Sequence, residues 1–152
     1  MYTKQETSRQ KQAFWTTFGK YMQPILSADG MEVNWVNYKT GIPGLYFRMD
    51  ADTKVASITI ELSQNDSNIQ RMYYDELLQR KNILHEILGE EWDWQLLQPN
   101  EYGSMVSTIS NNITNVNIHR MEDWPTIISF LKPRIIALDE FWSIANIQRI
   151  WG

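Results

Sequence analysis

The chain has 152 residues, 43% of them hydrophobic and 21% charged, which predicts one globular domain around a single core rather than a disordered segment. Its formal net charge of −4, from 14 basic and 18 acidic residues, argues against a broad nonspecific nucleic-acid footprint, and the absence of cysteine excludes disulfides, thiolate metal sites and cysteine nucleophiles. No apolar run reaches membrane-spanning length and the polar start is no secretory signal, so the expected compartment is the cytoplasm.

The domain is expected to cover residues 1–152, with 1–7 frayed. Phe14, Trp15, Phe18, Tyr21 and Met22 recur at helical spacing and predict a helix over 8–22, stopped by Pro24. Glu32 to Tyr38 alternates and predicts a strand. After the turn-forming run 39–44, Leu45, Phe47 and Met49 share one face, and Ala56, Ile58, Ile60 and Leu62 continue it on the next strand. The opposite face of that hairpin carries Tyr46, Arg48, Ser57, Thr59 and Glu61. Residues 63–67 supply N-caps for a long helix with Ile69, Met72, Tyr73, Leu77, Leu84, Ile87 and Leu88 on its apolar stripe and Gly89 as its C-terminal cap. Trp92, Trp94 and Leu96 then alternate on a strand, a hairpin loop over 99–103 leads to a second, and Thr114–His119 reads as a third. Pro125 suits a helix first turn, and Pro133 is expected to split the C-terminal helical stretch into 124–131 and 134–149. The sum is an α+β fold: a mainly antiparallel sheet of about five or six strands with N-terminal, central and C-terminal helices packed on it.

The phrases Phe14-Trp-Thr-Thr-Phe-Gly19, Trp35-Val-Asn-Tyr-Lys-Thr-Gly41, Leu45-Tyr-Phe-Arg-Met-Asp50, Gly89-Glu-Glu-Trp-Asp-Trp94 and Leu138-Asp-Glu-Phe-Trp142 run in order over nearly the whole chain. On them the sequence resembles an uncharacterised bacterial family, domain of unknown function 4268. Domains of that family often follow a nuclease-like domain, so the resemblance implies a role near DNA or defence systems. None of the phrases is a catalytic signature.

Three functions compete. A restriction-endonuclease-like enzyme, or its accessory subunit, needs carboxylates around a magnesium or manganese ion and a lysine two residues beyond the last acid. Asp50 or Asp52 with Glu61 could supply the acids, but Ser63 stands where the lysine should be, and both aspartates fall in an expected turn, where aspartate is a common turn former. The two histidines, His85 and His119, lack the paired helical spacing of a metalloprotease, and no serine sits in a nucleophile elbow. The acidic runs Glu90-Glu91-Trp-Asp93 and Asp139-Glu140 read as solvated loops or partner-binding patches. A small-ligand pocket lined by Trp35 and Tyr46 is the second function. The preferred third is a non-catalytic binding or assembly module, with no cofactor, engaging a protein partner or a second copy in a homodimer. Its candidate contacts are Trp35, Tyr38, Tyr46, Arg48, Glu61 and exposed tryptophans. The C-terminal helices are expected to cover the Arg48–Glu61 face and make that pair internal; if they leave it open, it is the binding site.

Overall fold

The computed structural model describes residues 3–145. It contains helix α1 (Lys4–Met22), strands β1 (Leu45–Ala51) and β2 (Val55–Leu62), and helices α2 (Ser67–Gln79) and α3 (Lys81–Leu88). Strands β3 (Asp93–Pro99) and β4 (Met105–Thr114), a short 3-10 turn (Met121–Asp123) and helix α4 (Trp124–Ala145) follow. The α+β class is as expected, but the sheet has four strands in the order β1-β2-β4-β3, every pair antiparallel.

The two missing strands have local causes. Between Glu32 and Tyr38 the chain turns, and the Asn34 side chain accepts from the Asn37 amide three residues on, at 3.1 Å, which holds the turn. Alternation there reflects a loop that buries Trp35, whose indole donates to Ile25 O at 2.9 Å. After Thr114, Asn115 adopts a left-handed φ of 60°, which ends β4. The segment beyond it makes only two backbone bonds to the β1–β2 turn, Val116 N to Lys54 O and Ile118 N to Asp52 O.

Helix boundaries differ from expectation as well. Thr3 and Glu6 form a reciprocal capping box, so residues 4–7 are the first turn of α1; residues 1 and 2 lie outside the described part. The expected long central helix is broken at Arg80, whose φ and ψ of −105° and 13° let α3 leave α2 at a new angle. Gly89 caps α3 at a φ of 70°, a conformation that costs glycine nothing. Pro133 does not split α4, which runs through it. The carbonyl that a proline at this position leaves unpaired belongs to Ser129, which is exposed and can bond water instead. The end of that helix expected over 146–149 lies outside the described residues.

All four helices contribute to one core. Phe14, Phe18 and Met22 of α1, Leu77 of α2, Leu84 of α3 and Ile127, Leu131, Ile135, Leu138 and Phe141 of α4 join Phe47, Ile58, Ile60, Leu62 and Ile109 from the sheet. Each such aromatic or aliphatic side chain withdrawn from water contributes on the order of 1.5–3 kcal/mol. Among the described residues every tryptophan is buried or half-buried, so the tryptophans serve as core anchors and not as an exposed contact surface.

Candidate functional site

With the helices gathered on one side, the other face of the sheet is open. Side chains alternate along a strand, so burying Leu45, Phe47, Ala56, Ile58, Ile60 and Leu62 turns Tyr46, Arg48, Asp50, Ser57, Thr59 and Glu61 to the opposite side. Thr108 and Ser110 of β4 pair with Glu61 and Thr59 and extend the polar surface. Arg48 keeps 54% of its side-chain surface, where the sequence led us to expect coverage by the C-terminal helices. Those helices found their sheet contact on the apolar side instead.

Three of the five candidate contacts meet on this face. Tyr46 stands opposite Glu61, and Arg48 opposite Thr59. The Arg48 guanidinium donates through Nε to Glu61 Oε2 at 2.7 Å and lies 4.2 Å from the centre of the Tyr46 ring. The pair fixes the arginine's direction and leaves its remaining N–H groups toward solvent, able to take a carboxylate or another acceptor. Beside Tyr46 a shallow cleft of about 450 Å³ is walled by Ser63, Gln64, Ile69 and Tyr73. Ile69 is exposed there, and Gln64 Oε1 is buried with no hydrogen-bond partner among the described residues.

Trp35 and Tyr38 lie on the other side. Tyr38 stacks on Phe47 with ring centroids 5.1 Å apart, and its hydroxyl donates to Asp139 Oδ1 at 2.5 Å. Burial first, then the Asp139 hydrogen bond and charge, push the Tyr38 phenol far above its usual range. Asp139 is buried and also accepts from the Ala28 amide at 2.7 Å, so it pins the 25–40 loop to α4 and is no solvated acid. Trp35 and Tyr46 therefore do not line one pocket. Tyr38 and Tyr46 do share a groove of about 280 Å³ that passes around the β1 edge beside Thr40 and Pro43.

Asp50 and Glu61 are both on the open face but are not brought together. Asp50 pairs with Ser57, and Glu61 pairs with Tyr46, four residues along β1. At ~3.3 Å per residue that separates them by about 13 Å, too far for one divalent ion to bond both carboxylates. Asp52 is a turn former: its side chain accepts from the Lys54 and Val55 amides, and those bonds with nearby lysine charge hold its carboxyl below the usual range against a smaller cost of burial. Among the described residues no three His, Asp or Glu side chains are grouped to hold a metal. His85 packs edge-on to Trp94, and the buried His119 ring bonds Gln10.

The first acidic run is a structural joint. Glu90 accepts from both Arg134 Nε and Nη2, at 2.7 and 2.9 Å, and Glu90 thereby ties the loop after α3 to α4. Sequence reasoning also missed Gln70, which is fully buried on α2. Its signal was present: Gln70, Tyr74 and Leu77 lie at positions four and three residues apart, the spacing of one helix face.

The chain belongs to the family described as Domain of unknown function (DUF4268), whose profile matches residues 10–145. No curated protein and no solved structure matches it. Among the described residues no helix is long and apolar enough to cross a membrane.

Proposed function

We propose that the chain is a non-catalytic binding and assembly module that engages a protein surface through the sheet face around Tyr46, Arg48 and Glu61. One observation carries this reading. A sheet whose apolar side packs against the helices and the 25–40 loop presents, on its other side, an oriented arginine stacked on an exposed tyrosine, the residue types that anchor protein interfaces. The scattered carboxylates of this face offer no pair for a shared ion, which weighs against metal-dependent nuclease chemistry here.

Thermal-shift titrations with magnesium, manganese and a short DNA duplex, run beside light scattering, test the reading. The expected result is no stabilisation by metal or DNA, and a mass above the 18.0 kDa chain that returns to it when Tyr46 and Arg48 are both changed to alanine. Stabilisation by metal and DNA that disappears in Glu61→Ala overturns the module and makes a nuclease-like enzyme the better account.

A further inference from the structure

Among the described residues, the outer edge of β1 is the one place where the sheet can grow. In the β1–β2 ladder Ser63 N donates to Gly44 O and Asp52 N to Val55 O, so residues 44, 46, 48, 50 and 52 turn their backbone groups toward β2. Residues 45, 47, 49 and 51 turn theirs outward. At one end the outward groups of Leu45 are taken: its N–H bonds Ile42 O and its carbonyl accepts from Thr40 Oγ1 at 2.8 Å. At the other, the Ala51 N–H bonds only the neighbouring Asp50 Oδ1 at 2.9 Å. The available edge is therefore Phe47 to Ala51, with Met49 at its middle. The opposite edge of the sheet is blunted by a register shift between Gln95 and Gln98, a left-handed Leu97 and the terminal Pro99. β1 has none of these devices.

We propose that β1 pairs antiparallel with β1 of a second copy about a two-fold axis at Met49, joining the two four-stranded sheets into one. The proposal deepens the assembly reading by naming the partner and the register. Charge selects that register. With the axis at Met49, Arg48 faces Asp50 of the other copy twice over, as a pair without backbone bonds, where side chains come closest. With the axis at Arg48, two arginines would face each other. With the axis at Phe47, Leu45 would have to pair, and its backbone groups are already engaged. The register that charge favours is also the one that aligns both open spans end to end. On the core side it sets Phe47 against the small Ala51 and leaves the half-buried Met49 against its own copy, a side chain that adapts to such a contact. Asp50 gives up the Ala51 amide to the Phe47 carbonyl of the other copy and takes Arg48 in exchange.

Sedimentation equilibrium over a wide concentration range, with circular dichroism to confirm folding, tests this. Met49→Pro removes an outward N–H without touching the β1–β2 ladder, a position where an edge strand tolerates proline, and should leave a folded monomer. Arg48→Asp and Asp50→Arg, each alone, place like charges across the axis and should weaken the dimer ~10-fold or more. Mixing those two variants should restore association as a heterodimer. One copy then carries acids at both positions 48 and 50 and the other carries bases at both, so each cross-axis pair is again of opposite charge. A monomer at every concentration overturns the second copy as occupant and leaves the open face for a different protein. A dimer indifferent to Met49→Pro but broken by Thr59→Arg overturns the edge while keeping the assembly reading, since the contact is then face to face. Stabilisation by metal and DNA lost in Glu61→Ala is the separate result that removes the reading itself.

Discussion

The Glu90 carboxylate accepts four hydrogen bonds, from Arg134 Nε and Nη2, Trp92 Nε1 at 3.0 Å and Asn111 Nδ2 at 3.2 Å. Burial by itself would raise its pKa, but the bonds from Arg134, Trp92 and Asn111 with the Arg134 charge outweigh that and hold it below the ordinary glutamate value. A carboxyl depressed in this way contributes stability that is fully present above the unfolded-state pKa, about 4.3, and is lost as pH falls through the lower folded-state value. Glu90→Gln should therefore lower stability at neutral pH by about 2 kcal/mol and flatten the loss of stability below pH ~4.5. Urea melts of both proteins from pH 7 to 3 read this directly, and parallel pH curves would show that Glu90 is not the titrating joint. Nothing in the run Glu90-Glu91-Trp-Asp93 revealed this role, because Arg134 lies 44 residues away.

At the scale of elements, α2 is locked to the sheet by one buried polar network. Gln70 Nε2 donates to Gln64 O at 3.0 Å and Met105 O at 3.1 Å, while its Oε1 accepts from Ser107 Oγ at 2.6 Å. Ser107 Oγ in turn accepts from the amide of Leu97, the left-handed residue in the β3 bulge. One hydroxyl thus satisfies a helix side chain and a strained backbone at once. Ser107→Ala leaves the Leu97 N–H and the Gln70 oxygen unpaired in the interior and should cost about 2–3 kcal/mol, more than the ~1 kcal/mol of an ordinary hydrogen bond. Chemical denaturation gives the figure; a loss under about 1 kcal/mol would mean that water replaces the hydroxyl. Periodicity locates α1 and the β1–β2 hairpin, since each depends on local spacing, but it misplaces the buried face of α2: of the expected Ile69, Met72, Tyr73 and Leu77 only Leu77 is buried, and Gln70 and Tyr74 take the other places. It misjudged Pro133 and Arg80 because long-range packing decided both. α4 survives proline through its buried face on either side, whereas Arg80 is held by bonds to Glu76 and, across the fold, to Ala145 O at 3.1 Å.

For the molecule as a whole, the alternation of β1 and β2 revealed that one sheet face is polar, and the grouping of Tyr46, Arg48 and Glu61 came from it. Alternation could not reveal which face the helices choose, because α4 is apolar around much of its circumference and its pattern suits either side. Trp35 and Tyr38 belong to the core side, because the segment 32–38 is a loop that turns at Asn34 and not the strand its alternation suggests. The sheet order makes a further consequence measurable. β2 and β4 are paired on both sides, so their amides should be the slowest to exchange with deuterium. Within β1 the pattern should alternate: Tyr46, Arg48 and Asp50 protected by β2, Phe47 and Met49 exchanging fast in dilute solution. Raising the protein concentration should slow Phe47 and Met49 selectively while leaving their neighbours unchanged, because only outward N–H groups gain a partner when a strand is added. If both amides are protected at a concentration where the protein sediments as a monomer, the edge is closed within the single chain and has no room for another strand. Residue-resolved exchange therefore tests the open edge independently of any substitution.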